Sequence, residues 1–204
     1  MRPMKKSPKS RCASCRDMEC YDGKDCFELS DLHRSMYQDP YISKLHRAAT
    51  AIEGRHYCQE PRISEIMLFA REMNFKRLGL AFCIGLSEEA RVIEKILSRE
   101  FKVISVCCKV SGIAKGDYHL EQIRPGKPIE VMCNPAGQAQ ILNDAKTDLN
   151  VICGLCVGHD AIFTMQSKAP VTTLITKDRV LGHNPAAALY VRYIRRNLLP
   201  DEGA

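Results

Sequence analysis

The stretch NVICGLCVGHDAIF, Asn150 to Phe163, decides the fold. It opens on a short apolar run around Val151 and Ile152, too brief for a helix and rich in β-branched residues. Gly154 and Gly158 then permit a sharp turn, and His159 and Asp160 lead into the apolar residues of a helix start. A strand, a tight turn and a helix in so few residues form the repeating unit of α/β proteins.

The same unit recurs on either side. RLGLAFCIG (Arg77–Gly85) reads as a strand, followed by SEEARVIEKILSRE (Ser87–Glu100), a helix with Ser87 as its cap and an acidic first turn. FKVISVCC (Phe101–Cys108) is a second strand. NPAGQAQILNDA follows, with Asn134 as cap and Pro135 at the first helical position. After DLNVICGLC and its helix come PVTTLITK, a fourth strand, and NPAAALYVRYIRRN, a last helix. The strands are apolar on both faces, as when helices cover both sides of a parallel sheet. The expected architecture is α/β: a Rossmann-like open parallel sheet of about four strands flanked by helices, spanning residues 76–200.

Two other regions precede it. Residues 30–75 read as helices packing on the core. Ile42, Leu45, Ala49 and Ile52 fall at helical spacing in one, and Ile63, Ile66, Met67, Ala70 and Met73 in the next, where Pro61 suits a first turn. Residues 1–29 join a basic leader to a cysteine-rich loop. Within residues 1–16, Arg2, Lys5, Lys6, Lys9, Arg11 and Arg16 stand without an acid, and since the other 24 basic residues match the 24 acidic ones they account for the whole net charge of +6. This is the pattern of a solvated terminus, with no aromatic-rich nucleic-acid motif beside it. No apolar run reaches the roughly 18 residues of a membrane helix, and the leader has no apolar core of a secretory signal. The expectation is a cytoplasmic protein.

Eleven cysteines are many for such a chain. The count is odd and no export signal accompanies it, so metal ligation or redox chemistry is favoured over a disulfide framework. Cys12, Cys15, Cys20 and Cys26, spaced Cys-x2-Cys-x4-Cys-x5-Cys, lie in a polar loop that cannot build a core. A bound ion can supply its folding energy. The compact spacing favours an iron–sulfur cluster of the 4Fe-4S type, with a zinc site as the alternative.

A second group is scattered along the chain and gathers only through the fold. Cys83, Cys107 with Cys108, and Cys153 with Cys156 end three strands, and Cys133 precedes a helix. In a parallel sheet these ends share one edge, where α/β proteins place their sites. Cys83, Cys108, Cys133 and Cys156 form the expected cofactor-binding and metal-ligating set. Side chains alternate along a strand, so Cys107 points away from Cys108, and Cys153 lies deeper than Cys156. GLCVG (Gly154–Gly158) also has the form of a nucleophile elbow with Cys156 at its apex, where a helix N-terminus favours a thiolate. His159 is then a ligand, a proton donor or a structural histidine. Lys177, Asp178 and Arg179 follow the fourth strand, with His183 and a helix cap at Asn184 beyond. His159, Lys177 and Asp178 are the candidate catalytic residues, and Lys177 and Arg179 suit an anionic cluster or substrate.

The segments AFCIGLSEEARV, CCKVSGI, MCNPAGQAQILN, TDLNVICGLCVGHDAIF and SKAPVTTLITKDRVLGHNPAAALY together resemble an uncharacterised prokaryotic family, a domain of unknown function described only as metal-binding. The resemblance runs over nearly the whole chain, including CASC at Cys12–Cys15. Its pattern matches at Cys83, Cys108, Cys133, Cys156, His159, Asp160, Lys177, Asp178, Arg179, His183 and Asn184, and leaves Cys107 and Cys153 outside. It implies metal binding without a reaction.

Three functions follow as expectations. The first is an iron–sulfur protein with an N-terminal and a sheet-edge site, doing redox or sulfur-transfer chemistry on a small substrate with an electron-transfer partner. The second is a non-catalytic zinc-binding or metal-delivery protein. The third is a thiol enzyme with Cys156 as nucleophile and His159 or His183 as base. No Gly-x-Gly-x-x-Gly follows a strand, so nothing supports a dinucleotide.

Overall fold

The computed structural model describes residues 12–199 and divides the chain into two compact units, Met1–Gly54 and Arg55–Ala204. The basic leader, apart from Arg16, lies outside the described residues. Within them no helix is long and apolar enough to cross a membrane.

The first unit holds two short 3-10 turns at Cys12–Ser14 and Glu19–Asp22, then α1 (Ser30–Met36) and most of α2 (Pro40–His56). Asp25 accepts from the amides of Ser30 and Phe27, which fixes the chain ahead of α1. The buried face of α2 differs from the expected stripe. Ala48 and Ile52 are buried with Leu45 half-buried, whereas Ile42 and Ala49 are exposed. Two adjacent alanines carry equal apolar weight, so periodicity alone could not choose between them.

The second unit begins with α3 (Arg62–Glu72), which buries Ile66 and Ala70, with Met73 just beyond, as expected from the spacing. Four parallel strands follow: β1 (Arg77–Phe82), β2 (Lys102–Cys107), β3 (Leu149–Cys153) and β4 (Val171–Ile175), in the order β2-β1-β3-β4. Between them lie α4 (Ser87–Leu97), α5 (Pro135–Asp144) and α6 (His159–Gln166). The chain steps from β1 outward to β2, then back past β1 to β3. Right-handed crossovers therefore put α4 on one face of the sheet and α5 and α6 on the other, and α5 packs directly on α6. This is the expected open sheet flanked by helices, and its topological switch point lies between the ends of β1 and β3.

The core explains the order of the layers. β1 and β3 are central, and Leu78, Leu80, Leu149, Val151 and Ile152 are essentially inaccessible. Gly79 pairs with Asn150, and a Cβ there would run into Asn150 Oδ1 and lie 2.8 Å from Leu142 Cδ1. Asn150 is itself fully buried and satisfied, accepting from Thr147 Oγ1 at 2.7 Å and donating to Ser167 Oγ at 2.8 Å. That network ties β3 to the ends of α5 and α6.

Asn134 caps α5 as expected, its Oδ1 accepting from Gly137 N at 2.8 Å, with Pro135 next in the chain. Two other caps differ. Ser87 is the first residue of α4 and makes no side-chain cap, because a 3-10 turn at Ile84–Leu86 already leads the chain into the helix. The last helix is split into α7 (Ala187–Tyr190) and α8 (Arg192–Leu198) at the extended residue Val191, and Asn184 does not cap it. β-branched Val191 and the nearby Tyr190 and Tyr193 favour helix weakly.

Candidate functional site

The strand ladder runs one residue beyond each strand and fixes the thiols. Cys83 N donates to Cys153 O at 3.1 Å, Cys108 N to Phe82 O at 2.8 Å, and Gly154 N to Ile175 O at 2.8 Å. Asn134 N in turn donates to Cys108 O at 2.8 Å. The backbone of Cys108 is thus bonded to the neighbours of Cys83 and of Cys133, so three cysteines from separate regions of the sequence meet.

Cys133 Sγ lies 3.9 Å from Cys108 Sγ, and Cys83 and Cys108 are close enough to shift each other's ionisation. Ile84 N donates to Cys108 Sγ at 3.3 Å. Cys108 and Cys83 are buried, Cys133 half-buried. A shared proton decides their ionisation. Cys108 is held protonated, its pKa pushed far up by Cys133, by Cys83 and by burial. Cys83 is pulled down to about 5 by Cys108, then by the Gly85 amide and Lys177. Cys133 is pulled down to about 5 by Cys108, then by Lys109 and His159. The arrangement is one thiol between two thiolates, each thiolate beside a lysine.

Cys133 reaches this place on a long loop that is firmly pinned. Lys115 and Glu130 form a nearly buried ion pair at 2.6 Å, and the Glu130 carboxylate accepts from the amides of Ile123 and Arg124. Lys115 holds the Glu130 carboxyl down at about 2. Ala114 and Val131 form an antiparallel bridge. Lys109 Nζ donates to Val131 O at 2.6 Å and approaches Cys133 Sγ at 3.4 Å.

Cys156 stands in the turn after β3, between Gly154 and Gly158, both at positive φ. Its carbonyl accepts from His159 N and Asp160 N as α6 begins. Its sulfur accepts from Arg179 Nη2 at 2.9 Å. Arg179 also feels the charges of Cys83 and Cys133, so the four expected cysteines lie at the same edge of the sheet. His159 acts on Cys133 electrostatically; no described hydrogen bond joins the imidazole of His159 or His183 to the Cys156 sulfur.

The remaining expected residues divide. Lys177 faces the thiols: its Nζ lies 3.2 Å from the place a Cβ on Gly85 would take, beside Cys83. Asp178 does not, since Oδ1 accepts from Val180 N and Leu181 N, and its own amide donates to His183 Nδ1. Both side chains shape the loop. Cys153 is fully buried with its pKa pushed up to about 11 by burial and Glu89, the state of an inert core thiol. Cys12, Cys15, Cys20 and Cys26 are all exposed; Cys15 N donates to Cys12 O at 3.1 Å, and no described hydrogen bond joins two of their thiols. Among the described residues no group of three or more His, Cys, Asp or Glu side chains is already set to hold a metal ion.

Two residues escape a reading of the sequence. Lys109 directly follows Cys108, and its adjacency to two cysteines is the signal that could have marked it. Gln138, fully buried on α5, donates through Nε2 to Phe82 O at 3.2 Å and Val106 O at 2.7 Å, clamping the ends of β1 and β2. Its Oε1 has no partner. A lone glutamine on a buried helix face was the available sign.

The sequence matches DUF1847, a family described as protein of unknown function, over residues 24–174. That span includes all four crevice cysteines and His159. An uncharacterized protein of Methanocaldococcus jannaschii is 46% identical over 190 residues, 93% of this chain and 98% of that relative. No solved structure matches the chain.

Proposed function

The chain belongs to this family of proteins of unknown function, and we propose that it binds a thiophilic metal centre through the thiolates of its sheet edge. The observation that carries the reading is the convergence of Cys83, Cys108 and Cys133 at one sheet edge, with Cys133 3.9 Å from Cys108 and each outer cysteine beside a lysine. Thiolates, not thiols, ligate metals, and Cys83 and Cys133 are already drawn toward the thiolate by their neighbours. A metal would displace the Cys108 proton and draw Cys83 and Cys133 together around that residue. Lys109, Lys177 and Arg179 offset the negative charge that accumulates on the sulfurs. His159 and Lys177 stand where a small substrate would meet the centre. The loop of Cys12, Cys15, Cys20 and Cys26 is a second metal-binding candidate, supported by its spacing.

An iron–sulfur cluster would supply electron transfer or sulfur chemistry, and a zinc ion Lewis acidity or storage. The test is a visible spectrum with iron, acid-labile sulfide and zinc analysis on protein purified without oxygen. Metal that is lost on replacing Cys108 or Cys133 by serine supports the reading. Protein that stays metal-free after anaerobic reconstitution with iron and sulfide, and with zinc, overturns it.

A further inference from the structure

We propose that Cys133 and Cys108 are a redox-active dithiol: Cys133 attacks a small anionic disulfide, and Cys108 then displaces the mixed disulfide to close a Cys108–Cys133 bond. This goes beyond the metal reading and does not rest on it, since sulfurs joined to each other are no longer thiolates free to ligate.

Contacts that involve no sulfur place the pair. Asn134 N donates to Cys108 O at 2.8 Å and Lys109 Nζ to Val131 O at 2.6 Å, so residues 108–109 and 131–134 lie side by side. The loop that carries Cys133 is fixed in turn. Met132 N donates to Ile113 O at 2.9 Å, Lys115 N to Glu130 O at 2.8 Å, and Ala114 bridges Val131. Across that junction Cys133 Sγ lies 3.9 Å from Cys108 Sγ. Bonded sulfurs stand about 2.05 Å apart, and side-chain rotation closes the difference while the backbone bonds hold. No described hydrogen bond joins Cys107 or Cys153 to either sulfur.

Exposure assigns the roles. Cys133 is half-buried and Cys108 only 2% exposed, so an incoming disulfide meets Cys133 first. Lys109 Nζ, 3.4 Å from Cys133 Sγ, stabilises charge on the attacking sulfur. Cys133 bonds to one sulfur of the reagent, whose own sulfur–sulfur bond breaks and releases a thiolate. That thiolate takes back from solvent the proton Cys133 has given up. Cys108 then bonds to Cys133 Sγ, breaks the mixed disulfide, and its proton passes to the second departing thiolate. Ile84 N, which donates to Cys108 Sγ at 3.3 Å, offsets charge on that sulfur as the proton leaves. The two cysteines lose two electrons, and the reagent gains them as it becomes a pair of thiols.

Charge gives the reagent class. Lys109 stands at Cys133, glycine at position 85 leaves room for the Lys177 ammonium beside Cys83, and Arg179 Nη2 donates to Cys156 Sγ at 2.9 Å. Among the described residues no carboxylate forms an ion pair with any of these three cations. Asp178 is engaged by Val180 N and Leu181 N, and Asp160 by Ala161 N. Such an edge draws in an anionic disulfide and stabilises the thiolates that depart from it.

The experiment uses the full chain, reduced and kept metal-free with a chelator, and glutathione disulfide as the reagent. Free thiols are alkylated and the linkages mapped by mass spectrometry. The expected result is a Cys108–Cys133 linkage in the wild type, an accumulated glutathione mixed disulfide on Cys133 in C108S, and wild-type behaviour in C107S. The neutral bis(hydroxyethyl) disulfide should form the linkage at least about tenfold more slowly at low salt, a margin that added salt reduces. A wild-type chain without the linkage, Cys133 joined to a cysteine other than Cys108, or a C108S chain with Cys133 unmodified would overturn the dithiol. Equal rates with the two reagents would overturn the anionic class. Metal content, measured on the untreated chain, tests the metal reading separately, and either result there leaves the linkage map unchanged in meaning.

Discussion

Replacing Cys108 by alanine removes the one thiol whose proton two neighbours share. In the metal-free protein Cys83 and Cys133 are each held near 5, with the Cys108 hydrogen bond as the largest cause. At pH 7 such groups are about 99% ionised, whereas an ordinary thiol with a pKa of about 8.5 is about 3% ionised. The reduced protein should therefore carry two thiolates at neutral pH and lose them in a step near pH 5. In C108A, Cys83 retains the Gly85 amide and Lys177, and Cys133 retains Lys109 and His159. Both should titrate at higher pH, between the native value and that of a free thiol. The ultraviolet absorbance of the thiolate, followed from about pH 4 to 9 with C83S and C133S to assign each step, reads this directly.

Stability should follow the same sign. A group whose folded pKa is depressed stabilises the fold fully above its unfolded pKa and loses that contribution as pH falls through the folded one. The cost of C108A should accordingly grow from about pH 4, where both neighbours are protonated in either protein, to about pH 7. Cys108 itself runs the other way, its raised pKa favouring the fold below the unfolded thiol pKa and losing that contribution as pH rises. An apoprotein with no thiolate signal lost between pH 7 and 4, or a C108A curve superimposable on the wild type, would refute the shared-proton account.

Two further outcomes test the frame around the site. Gly79→Ala drives a methyl into Asn150 Oδ1 and Leu142 in a fully packed layer, which should cost about 1–3 kcal/mol; an unchanged urea midpoint would show that the layer gives way easily. Lys115→Met frees Glu130 from the cation that holds it near 2. Because a depressed carboxylate loses its stabilising effect as pH falls through the folded pKa, the variant should unfold at higher pH on acidification, and circular dichroism transitions identical to the wild type would refute this.

The strand–turn–helix pattern was legible because burial of a parallel sheet on both faces forces short apolar runs between amphipathic segments, as around Val151 and Ile152. Strand ends follow from that pattern, and with them the shared edge of Cys83, Cys108 and Cys156. The alternation of side chains along a strand also separates Cys108 from Cys107 and Cys156 from Cys153. The exposed and buried alanines of α2 were not separable, since Ala48 and Ala49 are chemically alike and only the neighbours choose.

The residue types of the crevice were therefore set by the sequence alone, but their pairing was not. That Cys108 lies beside both Cys83 and Cys133, that Cys156 falls to Arg179, and that Asp178 turns away from the thiols depend on loops returning over the sheet. Lys109 and Gln138 enter the site by the same route, through a loop pinned by Lys115 and Glu130 and a helix capped at Asn134. Periodicity records which face of an element is buried, a local property. Contacts of a few ångströms between thiols are set by loop closure and by hydrogen bonds between residues far apart in sequence, and those exist only once the chain has folded.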